Sequence, residues 1–172
     1  DLLRDAAEQV QKQADGLPVY YTEWNGCATF GARGNDTRKV AAYDVRAALS
    51  AEDFIDGSSI WCFSDIFEEL HPFPEEFHGG YGLVTQHGIP KPLFHALRLL
   101  GQAGDKRLEL PGALDGEVSV AAFRDAADTQ LTVLATKQNL HHFAGQRTPA
   151  TPVEIEVELD AKPQSVQLCR ID

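Results

Sequence analysis

Leu2, Leu3, Ala6, Ala7 and Val10 recur at helical spacing, so residues 2–14 are expected to form an amphipathic helix. Gly16 follows as a stop, and Pro18 forbids continuation. Val19 to Trp24 is rich in β-branched and aromatic residues and predicts a buried strand. Residues 26–36 are glycine-rich and read as a loop ending in a helix N-cap at Asn35-Asp36. The spacing of Val40, Ala41, Tyr43, Asp44 and Ala48 suits a second helix from Thr37 to about Leu49. Phe54 to Phe63 predicts the next strand, followed by an irregular stretch to about Tyr81. Pro90-Lys91-Pro92 then marks a helix start, with Leu93, Ala96, Leu97 and Leu100 as its apolar stripe. Helix and strand alternating with short connections is the rhythm of a parallel α/β sheet or barrel.

After Gly101 the pattern changes. Val118/Val120/Ala122, Leu131/Val133/Ala135, Val153/Ile155/Val157/Leu159 and Val166/Leu168 all alternate at period two. The third set is the clearest, with Glu154, Glu156 and Glu158 on the opposite face. Half-buried antiparallel strands of this kind build a small sheet or sandwich. The boundary is expected near Gly101–Arg107, giving an α/β unit over 1–104 and a β-rich unit over 105–172.

Composition narrows the partners. The 172 residues are 43% hydrophobic and 24% charged, as in a globular protein. A net charge of -11 argues against nucleic acid or an anionic membrane as partner, because both select basic patches. No apolar run approaches the ~18 residues of a membrane span. The first residues are a charged helix rather than an apolar leader, and the chain contains no Met, so its native start is expected elsewhere and its compartment is not legible. Cys27, Cys62 and Cys169 are odd in number and widely spaced, which favours buried free thiols over a disulfide framework or a zinc site.

The candidate chemistry sits at strand ends, where parallel α/β folds present reactive groups. Glu23 follows the apolar run Val19–Thr22. A retaining glycosidase needs one ionised carboxylate there to attack the anomeric carbon and a protonated one ~5–5.5 Å away. A rim carboxylate paired with a helix-borne cation would occupy the same place. In the second strand Ser59, Trp61, Phe63 and Asp65 share one face by parity, which would turn Trp61 toward a pocket as a sugar-stacking ring; a core tryptophan is the alternative. Between Ala47 and Pro90 there is no Lys or Arg but eight acids, Glu68 and Glu69 among them. A negative pocket mouth would favour an oxocarbenium-like transition state and disfavour anionic substrates. Some of these acids are simply solvated, and no recognised calcium spacing occurs among them. His78-Gly79-Gly80-Tyr81-Gly82 lacks the spacing and helix context of a phosphate loop and reads as a backbone turn that brings His78 to the site.

Four blocks in order, Thr22-Glu23-Trp24-Asn25, Trp61-Cys62-Phe63-Ser64-Asp65-Ile66-Phe67-Glu68-Glu69, Phe77-His78-Gly79-Gly80-Tyr81-Gly82-Leu83 and Gly88-Ile89-Pro90-Lys91-Pro92, resemble the C-terminal part of glycoside hydrolase family 39, and its β-xylosidases more than its α-L-iduronidases. The resemblance covers roughly residues 1–105 well and the β-rich remainder only in general character. It implies the last two βα units of a (β/α)8 TIM barrel followed by a small antiparallel β-sandwich. It also implies a retaining mechanism with no cofactor and no metal. Glu23 matches the catalytic nucleophile of the family; Trp61 and Glu69 match residues lining the xylose subsite, with His78 nearby. The acid/base glutamate of the family lies in an Asn-Glu-Pro motif, which is absent from this sequence.

The expected partners are therefore a xylo-oligosaccharide, the rest of the barrel and, optionally, further copies in a homo-oligomer. The chain by itself is expected to be inactive. Two other readings stand beside this one. A uronidase of the same family would need cationic contacts for the substrate carboxylate, and residues 47–90 offer none. A non-catalytic carbohydrate-binding or structural module over 107–172 would need exposed aromatic rings, for which only Phe123 and Phe143 are available.

Overall fold

β1 (Tyr20–Trp24) and β2 (Gly57–Ile60) run side by side as a parallel pair, the arrangement expected when a helix connects successive strands. The computed structural model describes residues 2–67, 73–114, 116–138, 152–160 and 162–171. α1 (Leu2–Gln13) precedes β1, and Gly16 ends that helical run with φ +80°. α2 (Arg38–Ala51) connects the two strands, and α3 (Pro92–Leu100) starts with Pro in its first turn as expected.

Four differences from the sequence expectation concern this half. The first strand is not the buried one expected, since Tyr20, Thr22 and Glu23 are exposed and Tyr21 and Trp24 half-buried. The second strand is shorter than Phe54–Phe63, because Glu52–Phe54 continues from α2 as a turn of 3-10 helix. The cap of α2 is Thr37, whose hydroxyl accepts from the Lys39 backbone N–H, and not Asn35-Asp36. Those two residues close a 3-10 turn and send their side chains elsewhere. Of the apolar face of α1, only Ala7 is buried, and Leu2 is 84% exposed.

β3 (Lys106–Leu108), β4 (Val118–Arg124) and β5 (Leu131–Lys137) form an antiparallel sheet in the order β3-β4-β5. It packs mainly by the face opposite to the expected one, although Ala122 of the expected set is buried as well. Ser119, Ala121 and Phe123 point inward, and Ala121 and Phe123 join Val40, Val45 and Leu49 of α2 and Leu93 and Ala96 of α3 in one core. The expected set contains Val133, which is exposed. β4 carries small or apolar residues on both faces, so alternation alone does not choose between them. Arg107 bonds the Leu49 carbonyl and Glu52, and Arg46 bonds the Gly116 carbonyl, fastening the sheet to α2.

Val153, Ile155, Val157 and Leu159 were expected to form a strand, as were Val166 and Leu168. The described residues 152–160 and 162–171 contain no strand, and all six side chains are exposed. A period-two pattern becomes a strand only where a neighbour completes its hydrogen bonds, and no described residue does so here.

The most buried charges in the fold meet at Lys91, just before α3. Its side chain is 0% exposed, and Nζ lies 2.6 Å from Asp36 Oδ1 and 2.6 Å from Asp65 Oδ2. A further bond of 3.1 Å to the Gly80 carbonyl satisfies the ammonium. The carboxylates are also satisfied: Gly79 N donates to Asp36 Oδ2 at 2.5 Å and Gly82 N to Asp65 Oδ1 at 2.8 Å. Charges taken out of water are tolerated only when paired and fully hydrogen-bonded in this way. Lys91→Met should therefore destabilise the protein by about 3–5 kcal/mol in urea unfolding, because two buried carboxylates lose their cation. Lys12→Met, which removes an exposed helical pair with Glu8, should change stability by no more than about 0.5 kcal/mol.

Asp44 is the opposite case. It lies on the buried face of α2, 0% exposed, and neither carboxylate oxygen has a hydrogen-bond partner of full geometry. Burial pushes its carboxyl up to about 7, opposed only by the Gly26 backbone N–H. The folded state thus holds this proton more tightly than the unfolded chain does. Stability from this group is full below the unfolded value near 3.8 and is lost as pH rises toward about 7. Asp44→Asn should remove that slope, and comparing urea midpoints at pH 5 and pH 8 reads it; the loss in the wild type is on the order of a few kcal/mol.

Candidate active site

The carboxyl ends of β1 and β2 carry the site. Tyr21 pairs with Ser58 and Trp24 with Ile60, so three steps along β1 match two along β2. The extra residue is a bulge at Thr22-Glu23, and both side chains are exposed there. Bulges redirect side chains at strand ends, and this one places the Glu23 carboxylate on the open face of the pair.

The next residues lock the two strand ends together. Trp61 N donates to the Trp24 carbonyl at 2.7 Å. Asn25 Nδ2 donates to the Trp61 carbonyl at 2.5 Å, while its Oδ1 accepts from Cys27 N at 3.1 Å. Asn25 thus fixes the distance between the strand bearing Glu23 and the one bearing Trp61. Sequence reasoning placed Asn25 in a motif block and gave it no task; an asparagine just past a strand end was the available signal.

On β2 and its continuation Ser59, Trp61 and Phe63 are exposed, while Ile60 and Cys62 are half-buried, as parity requires. Asp65 leaves the expected face. The chain has left the strand by then, and the Lys91 ammonium draws its carboxylate into the interior. The peptide between Trp61 and Cys62 is cis. Cys62 lies behind the open face and donates to the Ser64 carbonyl at 3.2 Å. Burial pushes its thiol up; the Ser64 bond and the Lys91 charge oppose this, and the negative charges of Asp65 and then Glu23 add to it. Cys62 is therefore a thiol held out of reactivity, and Glu23 is close enough to be felt there.

Trp61 begins a run of aromatic contacts. Its ring meets Phe67 edge-on at 6.0 Å, and Phe67 meets Tyr81 edge-on at 6.3 Å. Phe30, from the loop after β1, packs on Tyr81 at 5.1 Å and on Phe73 at 5.2 Å. Phe73 stacks flat on His78 at 4.1 Å. His78 is thus brought to this wall with one face covered; Nδ1 lies 3.2 Å from the Glu75 carbonyl, and Nε2 is enclosed with no partner of full geometry. Glu69 lies outside the described residues; Trp61 and His78 belong to one aromatic wall, and Glu23 is exposed at the end of the adjoining strand.

The turn bearing His78 is held by backbone approach. A Cβ on Gly79 would lie 2.6 Å from the Ala32 carbonyl oxygen, and one on Gly82 would lie 2.3 Å from Asp65 N. Asn35 Nδ2 donates to the Gly79 carbonyl at 2.9 Å, and Tyr81 donates its hydroxyl proton to the Ala28 carbonyl at 2.8 Å. Residues 81–84 then run along 62–65, with Leu83 N donating to the Cys62 carbonyl and Asp65 N to the Val84 carbonyl, both at 2.9 Å. Among the described residues no cluster of His, Cys, Asp or Glu could hold a metal ion, and no helix is long and apolar enough to cross a membrane.

Comparison with known proteins gives the wider setting of this strand end and its aromatic wall. A β-xylosidase of Geobacillus stearothermophilus is 40% identical over 111 residues, covering 64% of this chain and 21% of that protein. One from Caldicellulosiruptor saccharolyticus is 40% identical over 110 residues, covering 62% and 22%. Among solved structures, a GH39 enzyme from Xanthomonas axonopodis pv. citri superposes with TM-score 0.70 at 27% identity, over 83% of this chain and 28% of that one. A GH39 β-xylosidase from Caulobacter crescentus gives TM-score 0.61 at 31% identity, over 71% and 28%. The chain therefore spans between 21% and 28% of the length of these relatives. The profile of glycosyl hydrolases family 39 matches residues 2–171, so the strand pair with Glu23 at its end and the sheet behind it together belong to that family.

Proposed function

We propose that this chain carries the nucleophile half of a retaining β-xylosidase that releases xylose from β-1,4-linked xylo-oligosaccharides. The observation that supports the reading is the bulged end of β1, where Glu23 is exposed one residue before the Trp24 whose carbonyl accepts from Trp61 N. Glu23 attacks the anomeric carbon as its bond to the leaving oxygen breaks, giving a glycosyl-enzyme ester that water then hydrolyses. The Trp61 ring offers a flat face to the apolar C–H side of the sugar. Glu69 and His78 border the same subsite, with His78 acting through the wall it shares with Phe73.

Two parts of the machine come from elsewhere. A second carboxyl group must protonate the leaving oxygen and later activate water, and the remaining strands must cover the open face and edges of the β1–β2 pair. We assign both to the rest of a (β/α)8 barrel. The outer face of β4–β5, with Val120 and Val133, would then meet a second sheet to which residues 153–159 contribute, completing a small sandwich. The module reading is weaker, since Phe123 is core and not a surface platform. Among relatives the names favour a xyloside over a uronide, as does the absence of Lys and Arg from 47 to 90.

The complete enzyme should hydrolyse 4-nitrophenyl β-xyloside in preference to uronides, with the first-formed product retaining its anomeric configuration. Glu23→Gln should lower kcat by about 10³-fold or more. Azide should rescue Glu23→Gly and yield the inverted glycosyl azide, because the small anion occupies the vacated space. Unchanged turnover in Glu23→Gln would remove the assignment.

The 172-residue chain alone should show no turnover of the same xyloside at any concentration. Genuine catalysis by it would show that the missing carboxyl group lies within this chain after all.

A further inference from the structure

Gly26 stands three residues beyond Glu23, directly after the Asn25 that ties the two strand ends. Its φ lies outside the left-handed region, so glycine is not there for backbone freedom. It is there for space. A Cβ at this position would lie 2.2 Å from Asp44 Oδ1 and 2.9 Å from the Tyr43 ring. The Asp44 carboxyl group therefore presses on the backbone of the turn that ends the nucleophile strand.

Asp44 is an odd residue to find there. It is fully enclosed on a face otherwise made by Val40, Ala41 and Val45, with no full-geometry hydrogen-bond partner among the described residues. A buried carboxyl group in such surroundings costs stability, and an alanine or valine would pack at lower cost. Local choices that oppose stability concentrate where function needs them.

We propose that Asp44 is a positioning residue for the strand end that presents Glu23, acting through the backbone of Gly26. The carboxyl group is the floor of the 25–27 turn, and that turn sets where Asn25 grips the Trp61 carbonyl. Removing the floor, or inserting a methyl between floor and turn, displaces Glu23 relative to the anomeric carbon. Displacements of about 1 Å at a reacting group cost up to roughly 10²-fold in rate. This inference rests on the glycosidase reading of Glu23.

The test is a double-mutant cycle in the complete enzyme, read as kcat and KM on 4-nitrophenyl β-xyloside, with circular dichroism reporting folding. Gly26→Ala should lower kcat by about 10–100-fold while KM stays within about threefold. Asp44→Ala should also lower kcat. The double variant should be at least about fivefold faster than Gly26→Ala alone, since the methyl then enters the space the carboxyl group left. Asp44→Asn, which keeps the shape, should stay within about threefold of wild type. Should Gly26→Ala fail to fold, the comparison of Asp44→Ala with Asp44→Asn decides, and equal kcat values overturn the proposal. So does wild-type kcat in Gly26→Ala, or a double variant whose loss is the product of the single losses. A wild type inactive on every glycoside would overturn the glycosidase reading together with this inference, whereas an active wild type with unaffected variants overturns this inference alone.

Discussion

The buried ammonium of Lys91 is the constraint on which the loops around the site depend. It joins four segments far apart in sequence: the 3-10 turn at Asp36, the end of the second strand run at Asp65, the glycine turn at Gly80, and the start of α3. Apart from the short 3-10 turn, these segments meet outside regular secondary structure, at a helix cap, a strand run-out and a glycine turn. Each is fixed because a charge withdrawn from water must find every one of its partners, and a partly satisfied cluster would cost more than no cluster. The two glycine N–H groups that cap the carboxylates then position the turn, and with it His78 and Tyr81. The ion pairs act here together with the ring contacts of Phe30, Phe67, Phe73 and Tyr81 in the same loops.

The site itself is assembled one layer nearer the strands. A bulge turns Glu23 outward, Asn25 spans to the next strand, and the aromatic wall from Trp61 to Phe73 stands on the anchored loops. Glu23 and Trp61 are exposed there, as are Tyr20 and Phe63. Exposed aromatic residues on both strands of a parallel pair are unusual, since parallel sheets are normally covered on both faces. That open face is the physical ground for assigning the second carboxyl group to strands that would complete a barrel around it.

The β-rich half shows how the same sheet serves as support. Ala121 and Phe123 pack on α2 and α3, so the core is continuous from the helices into the antiparallel strands. The helices that hold β1 and β2 are clamped from behind, and Arg46 and Arg107 add hydrogen bonds at the edges of that contact. Rigidity at the strand ends is thereby set partly by residues remote from them in sequence.

Local rules made much of this legible. Helices α1, α2 and α3, the first strand and the β4–β5 pair follow from periodicity, and Glu23 at a strand end follows from where the apolar run stops. These are properties of neighbouring residues, which the chain carries whether folded or not. Which face of β4 packs inward was not legible, because Val118, Val120 and Ala122 compete with Ala121 and Phe123 and only the helices opposite decide. The tasks of Asn35, Asp36 and Lys91 were hidden for the same reason: a capping pair and a helix-start lysine look ordinary until distant segments converge on them. Residues 153–159 carry the plainest alternation in the sequence, yet form no strand, and none of the described residues pairs with them. The sequence by itself determined most of the elements and singled out the candidate nucleophile. Only the tertiary structure decided its exposure, the tie between its strand end and Trp61, and the carboxyl group against the turn that follows, because those depend on contacts between residues that do not meet until the chain folds.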